Sequence, residues 1–505
     1  MVYLCMGQGF YYPHNISSTK KAKVKCMSKV EEIFSAGIDI GTSTTTVVIS
    51  KLKIKNVASG FVVPKIEIID KAVIYRSDVY FTPLLDETTI DFKGIEEIVK
   101  KEYERAKVSP DEIKTGAVII TGDTARKENA QNVLEAISKM AGSFVVATAG
   151  PHLEAYIAGL GSGAATYSNE KHVSVSNADV GGGTSNIAVF DDGKLKATLC
   201  ADIGGRLIRF EPWTYKVQSF IRGGEVTANY LGIKLEKGKN LLKTEIFAIA
   251  EALSQALISI ILGNPNELAQ KLAIGDLSQC IVPKCIMFSG GVGRLIYEEE
   301  PDIEEGSITR FGDLGPALAA EIKNAVKDTS MKLVKPAETI YATVIGAGIH
   351  TTELSGSTIY VSDPEVLPFR DLPAIYLTAS DDLDKISAEI VSKAEKFSVQ
   401  DSKILPAIVI PKAFGNSFAK IKELTQAIEN AARRVAPKSP IVVICEDDIG
   451  KAVGNLLRNN LSKPRPVISI DQLTMKEGDY IDIGKPLYDG GVVPVVIKTL
   501  VFSNS

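Results

Sequence analysis

Two stretches of this chain place a carboxylate beside bare backbone. In VSVSNADVGGGTSNIAVF, residues 173–190, apolar and β-branched residues run up to Asp179. Gly181, Gly182, Gly183, Thr184 and Ser185 follow, and a second apolar run leaves from Ile187 to Phe190. AGIDIGTSTTTVVIS, residues 36–50, has the same plan, with Asp39, then Gly41, Thr42, Ser43 and Thr44, then a return from Thr46 to Ser50. Strand-like runs around a Gly-centred turn predict hairpins. Glycines let main-chain N–H groups converge on a phosphate without an obstructing Cβ, and the neighbouring Asp can hold a hydrated Mg²⁺. Each stretch therefore points to nucleotide phosphate binding, although either one alone reads equally well as an ordinary tight hairpin.

The surrounding elements have to bring the two turns together. Asp39 and Asp179 occupy the same place in a repeated strand–turn–strand, an internal repeat of architecture. Between them lie strand candidates at Lys71–Tyr75 and Ala117–Thr121. A helix is expected over Asp123–Met140, with Val133, Leu134, Ile137 and Met140 on one face. Another helix opens near Pro151 and carries Glu154, with the small residues Ala155, Ala158 and Gly159 permitting close packing; His152 at its start reads as structural. Gly161–Thr166 fails the dinucleotide pattern G-x-G-x-x-G/A at its last position and follows a helix instead of a strand.

Residues 207–235 read as an inserted antiparallel ribbon holding the only tryptophan, Trp213, and a helix is expected over 244–263. A third glycine cluster then follows the strand Cys285–Phe288: Ser289, Gly290, Gly291, Val292 and Gly293. Such a loop can lie flat against a purine or ribose. Gly346-Ala347-Gly348-Ile349-His350, after Tyr341–Ile345, is a further small-residue segment suited to close packing.

From about Arg370 the texture becomes a short alternation. Strands are expected at Ala374–Leu377, Ala407–Ile410, Ile441–Cys445 and Val467–Ile470. Between them, Leu383, Ile386, Ile390, Ala394 and Phe397 share one helical face, and Phe418, Ile421, Leu424 and Ile428 another. This alternation predicts a small parallel-sheet domain. Glu446-Asp447-Asp448 sits just past a strand, where open α/β sheets place ligands. Capping and charging the helix near Ile449 is the favoured role for these three residues.

The totals narrow the class. At 505 residues the chain holds several domains. A net charge of −4 and the lack of any basic block interleaved with aromatics argue against a nucleic-acid partner. The longest apolar segment, Ile246–Leu262, is interrupted by Glu251, Ser254, Gln255 and Ser259 and reads as a buried helix, so no membrane association is expected. Six scattered cysteines without a C-x-x-C pair read as reduced cytosolic thiols, and four separated histidines make a protein-built zinc or iron site improbable. Residues 1–34 show no signal-peptide architecture and are expected to form a disordered extension.

Two Asp-ended hairpins, a small-residue helix and a strand–SGGVG loop, in that order, resemble the actin, sugar-kinase and heat-shock-chaperone ATPase superfamily. The resemblance implies an α/β protein with two duplicated ribonuclease-H-like lobes, 35–170 and 171–368, clamping ATP and Mg²⁺ in a cleft, plus a C-terminal α/β domain over 369–505. It implies Asp39 and Asp179 as Mg²⁺ ligands and catalytic groups. Gly41, Thr42, Ser43 and Thr44 match its first phosphate motif, and Gly181, Gly182, Gly183 and Thr184 its second. Ser289, Gly290, Gly291 and Gly293 match its adenosine motif, and Glu154 lies where some members place a water-orienting residue. No G-x-x-x-x-G-K-[ST] is present, which excludes a P-loop mechanism.

Longer strings, GIDIGTSTTT, VIITGDTARKENA, FVVATAGPHLEAYIAGLGSGA, MFSGGVG and GDYIDIGKPLYDGGVVPV among them, resemble the ethanolamine ammonia-lyase reactivating factors. That resemblance implies a chaperone-like ATPase whose partner is ethanolamine ammonia-lyase. It would release damaged cobalamin from that enzyme so that adenosylcobalamin can rebind. The cobalamin-ligating pattern D-x-H-x-x-G is absent, in keeping with a protein that acts on the cobalamin enzyme. A cytoplasmic protein is expected, alone or associated with a bacterial microcompartment, and monomer and homodimer both stay open. A small-molecule kinase on the same fold and a nucleotide-controlled actin-like assembly protein are the rival readings; Glu154 or Asp123 is the candidate base of the first.

Overall fold

Hydrophobic alternation and β-branched residues build two sheets with the same plan. The computed structural model describes residues 30–499, apart from 43, 59–65, 87–88, 122–123, 125–128, 139, 141–144, 149–150, 278–280, 299–306, 351–352, 357, 381, 396–404, 462–463 and 488–489. In the first sheet Val30–Ile40 lies centrally, antiparallel to Thr44–Asn56 and parallel to Ile113–Ile120. Ile66–Arg76 flanks the former and Val145–Thr148 the latter. The second sheet repeats this order. Val175–Val180 is central, Ser185–Asp191 and then Lys194–Ala201 lie on its antiparallel side, and Cys285–Ser289 and then Lys332–Leu333 on its parallel side. Both sheets run third–second–first–fourth–fifth, so the architecture is duplicated as the repeat predicts, in keeping with the two ribonuclease-H-like lobes that the resemblance implies. Because Val30–Glu32 already pair with the second strand, the folded part begins earlier than the expected extension, 1–34, allows.

Two helices exchange between the lobes. Pro151–Gly161 leaves the first sheet and packs on the strands of the second, while Ala342–Ile345 leaves the second and packs against Val30–Ile40 and Thr44–Asn56 of the first. Backbone meets backbone where they cross: a Cβ on Gly161 would collide with the carbonyl of Ala342, and one on Gly346 with that of Ile157. Of the small residues expected to permit close packing, Gly346 sits at this crossing, whereas Gly159 packs on Phe190 and Ala188 of the second sheet and Gly348 on Gly37 of the first. Ala342–Ile345 is helical and Gly346–His350 continues it as a π-helical turn.

The second lobe's core is built on Lys243–Ile261. That helix is long and apolar enough to cross a membrane, but its Ile246, Ile249, Leu253, Leu257, Ile260 and Ile261 are fully buried among the lobe's own residues. The ribbon expected over 207–235 is confined to Ile208–Phe210 and Val217–Phe220, and Arg222–Tyr230 is a helix instead. Asp123 lies outside the described residues, and the helix expected from it is described over Ala130–Ser138.

The C-terminal sheet is mixed. Phe369–Tyr376, Ala407–Ile410, Ile441–Cys445 and Val467–Asp471 are adjacent and parallel, as the alternation predicts. Antiparallel strands flank them, Asp479–Ile483 and Pro494–Thr499 on one side and Tyr360–Val361 on the other. Val496 joins Ala117, Ile119, Ile157 and Ala347 in one apolar cluster, which fixes this domain to the first lobe. Phe418 stands 68% exposed at a helix start, off the face its spacing assigned it, while Ile421, Leu424 and Ile428 are buried. The acidic run 446–448 does not cap the helix Gly450–Asn460; Asp471 accepts from the Gly450 N–H (3.1 Å), and Glu446 accepts from Tyr376 Oη (3.2 Å) and from the Lys412 N–H (3.1 Å).

Candidate nucleotide cleft

The two Asp-ended turns are the same structure built twice. The Gly41 N–H donates to the Thr44 carbonyl at 2.9 Å, and the Gly181 N–H to the Thr184 carbonyl at 3.0 Å. Asp39 stands opposite Thr46 in its hairpin and beside Ile119 of the parallel strand; Asp179 stands opposite Asn186 and beside Ser289. Equivalent strand ends therefore present equivalent carboxylates. They open into one cleft of about 520 Å³, lined by both lobes.

Most residues singled out in the sequence line that cleft: Asp39, Gly41, Thr42, Thr44, Glu154, Asp179, Gly181, Gly182, Gly183, Thr184, Gly290 and Gly291. Ser43 lies outside the described residues. Ser289 and Gly293 stand behind the wall. Ser289 Oγ donates to Asp179 Oδ1 (2.9 Å) and accepts from Asn177 Nδ2 (2.9 Å), and Gly293 is packed against Phe288 inside the helix Gly290–Ile296. The segment expected as a flat loop is thus a helix start. Gly290 takes φ +82°, and a Cβ there would lie 2.5 Å from the Val180 carbonyl, so this position requires glycine.

Hydroxyls hold both carboxylates. Thr343 Oγ1 donates to Asp179 Oδ2 at 2.8 Å from the helix that crosses between lobes, and Thr121 Oγ1 donates to Asp39 Oδ1 at 3.1 Å. Thr82 and Thr124 both donate to the Gly41 carbonyl (2.7 and 3.1 Å), bracing the first turn from behind. Desolvation pushes the Asp39 carboxyl up to about 7, and the negative charge of Asp179 adds to the rise. Asp179 is raised by burial too, against the opposing hydrogen bonds from Thr343 and Ser289. Two carboxylates that repel each other across one cleft fit a divalent cation, because a positive charge between them would offset both the repulsion and the desolvation. Among the described residues no group of three or more His, Cys, Asp or Glu is placed to hold a metal.

Sequence reasoning missed Thr121, Thr343, Arg206 and Asp313. Arg206 and Asp313 also line the cleft and form an ion pair at 3.5 Å. Burial holds the Asp313 carboxyl above its usual range, although it accepts from the Gly315 N–H at 2.9 Å. Arg294, Arg310 and Phe311 line the cleft as well, with Gly290 and Gly291.

The family described as "Ethanolamine utilisation protein EutA" matches residues 31–503. The ethanolamine ammonia-lyase reactivase EutA of Salmonella typhimurium is 36% identical over 476 residues, 94% of this chain and 99% of that protein. The Escherichia coli protein of the same name is 35% identical over 474 residues, with the same shares covered. A Ppx/GppA family member from Aquifex aeolicus, a solved structure, is 15% identical with a TM-score of 0.37 over 63% of this chain and 97% of that one. On the family match and on relatives aligned along nearly their whole length, this chain belongs to the EutA family.

Proposed function

We propose that this chain is an ATP-dependent, chaperone-like reactivase of ethanolamine ammonia-lyase. The observation that carries the nucleotide part is the pair of equivalent Asp-ended glycine turns opening into one cleft. The client comes from the relatives, both named as reactivases of that lyase.

In this reading Asp39 and Asp179 would hold the Mg²⁺ that accompanies ATP, and the amides of the two turns would take its phosphates. Bound Mg²⁺ supplies charge neutralisation at the phosphates. The chain's own residues do the rest: Thr121 and Thr343 orient the two carboxylates, and the glycines leave room for close backbone approach. Glu154 lines the same cleft and would orient a water there. Phosphoryl transfer asks mainly for positioning and charge stabilisation, and this inventory provides both. Work on a client then requires that the two lobes differ in separation between nucleotide states, with the client preferring one of them.

The test is recovery of a dead enzyme. Ethanolamine ammonia-lyase inactivated with cyanocobalamin is incubated with this protein, adenosylcobalamin and MgATP. Ethanolamine deamination should return, and only with ATP present; no recovery with both proteins folded would refute the proposal. Glu154 in the cleft also suits a general base, which keeps a small-molecule kinase as the second reading. A phosphorylated alcohol, sugar or ethanolamine in the reaction would decide for it.

A further inference from the structure

Arg206 has more donors than partners. Its backbone N–H donates to the Gly182 carbonyl at 2.6 Å and the Gly205 N–H to that of Gly181 at 3.0 Å, so this segment is fixed to the second glycine turn. Its side chain reaches into the cleft and is 20% exposed. Among the described residues it meets one carboxylate, Asp313, through Nε at 3.5 Å. Its guanidinium carbon also lies 5.3 Å from the ring centroid of Phe81, on the opposite lobe. Phe81 pairs in register with Thr44 of the first turn. Thr44, Phe81, Arg206 and Gly182 thus link the two turns across the cleft.

A guanidinium carries five N–H donors and stays charged in proteins. Removing it from water is costly unless partners replace the lost hydration, and a single pair at 3.5 Å replaces little of it. Burial accordingly lowers the Arg206 pKa, with Asp313 opposing. The group lies over the aromatic ring while most of its N–H donors stay available, and a planar fork of this kind is a combination lysine cannot offer. The ligand such an edge fits is a phosphoryl group with free oxygens.

On the nucleotide reading above, we infer that Arg206 recognises the terminal phosphate of a bound nucleoside triphosphate and, through Phe81, couples that recognition to closure of the two lobes. A diphosphate leaves the edge of the guanidinium unengaged and the bridge weak. A triphosphate engages it and draws the lobes together.

The experiment titrates MgATP and MgADP into the full chain by calorimetry, for wild type, R206K and R206A, with the radius of gyration followed by X-ray scattering. R206A should weaken MgATP roughly ten- to a hundredfold, the worth of charge-assisted hydrogen bonds, and MgADP by less than about threefold. R206K should fall between, because it keeps the charge and loses the fork. In F81A, MgATP should no longer shrink the particle as it does the wild type. Wild-type discrimination between the two nucleotides that survives in R206A overturns this inference alone. So does an equal loss of both nucleotides in R206K and R206A at unchanged melting temperature. Failure of the wild type to bind either nucleotide overturns the nucleotide reading, and this inference with it.

Discussion

Asp39 feels the charge of Asp179, although the two belong to different lobes and to different sheets. Each sits at the end of the central strand of its sheet, each is followed by a turn closed by the same hydrogen bond, and each is held by a threonine hydroxyl. The duplication thus does more than repeat a shape. It brings two like charges into one cleft, where each raises the cost of ionising the other and a cation between them would lower it.

The first consequence is a dependence on pH. The folded pKa of Asp39, about 7, lies above its ordinary value of 3.8, so the native state binds a proton more readily than the unfolded chain between those values. This group's contribution to stability is therefore fully present below about pH 4 and is lost as the pH rises through 7. A divalent cation needs the ionised form. MgATP affinity should rise between pH 6 and 8, and binding at pH 7 should release protons, seen as a calorimetric enthalpy that changes with the ionisation enthalpy of the buffer. An enthalpy independent of buffer would contradict the raised pKa.

Neutralising either carboxylate should separate stability from activity. Asp39→Asn and Asp179→Asn remove one of two repelling groups, so the protein without nucleotide should melt higher, by about 1 °C for each kcal/mol relieved. ATP hydrolysis by the same variants should fall by at least roughly a hundredfold, comparable to losing a charge-stabilising group in other enzymes. Differential scanning calorimetry and phosphate release measure the two effects. A variant that hydrolyses at the wild-type rate would mean that its carboxylate does not hold the metal.

Thr343 offers a finer probe, because it lies on the interlobe helix and not in either glycine turn. Thr343→Val keeps the shape but strips the 2.8 Å bond from a buried carboxylate. A hydrogen bond to a charged group contributes about 1.5–3 kcal/mol, so MgATP should bind about tenfold or more weakly. Thr343→Ser should restore most of that affinity. Equal affinities for the valine and serine variants would show that the hydroxyl is only a packing group.

At the crossing of the two exchanged helices, Gly161→Ala sets a methyl against the Ala342 carbonyl, and Gly346→Ala sets one against that of Ile157. Neither obstacle is the end of a flexible side chain, so the backbones must separate. Overpacking of this kind costs about 1–3 kcal/mol and occasionally more. Denaturant midpoints should fall in both variants, and Gly291→Ala, whose Cβ would meet nothing within 4 Å, serves as the harmless control.

What was legible in the sequence was local. Asp39 and Asp179 announced themselves because carboxylate, glycines and hydroxyls follow one another within a few residues of β-branched strands. Gly290–Ile296 misled because glycine is a poor helix former, and its helix is stabilised by tertiary packing that a short window does not contain. Thr121, Thr343, Arg206 and Asp313 carried no signal, since an isolated threonine or arginine has no spacing to read and reaches the cleft only through strand pairing and the helix exchange. The edge strands of the C-terminal sheet were hidden for a related reason: Glu353–Leu354 and Tyr360–Val361 are two residues each, too short for any periodicity.

The most direct test is the sign of the metal's effect on ATP binding, measured by titration calorimetry with Mg²⁺ and with EDTA in wild type, Asp39→Asn and Asp179→Asn. Carboxylates that serve a cation repel bare polyphosphate. With Mg²⁺, the wild type should bind ATP at least about tenfold more tightly than either variant. In EDTA the order should reverse, with both variants binding as tightly as the wild type or tighter. Wild-type binding that ignores the metal, or variants that match the wild type with Mg²⁺ present, would contradict the account that these two turns form one MgATP clamp.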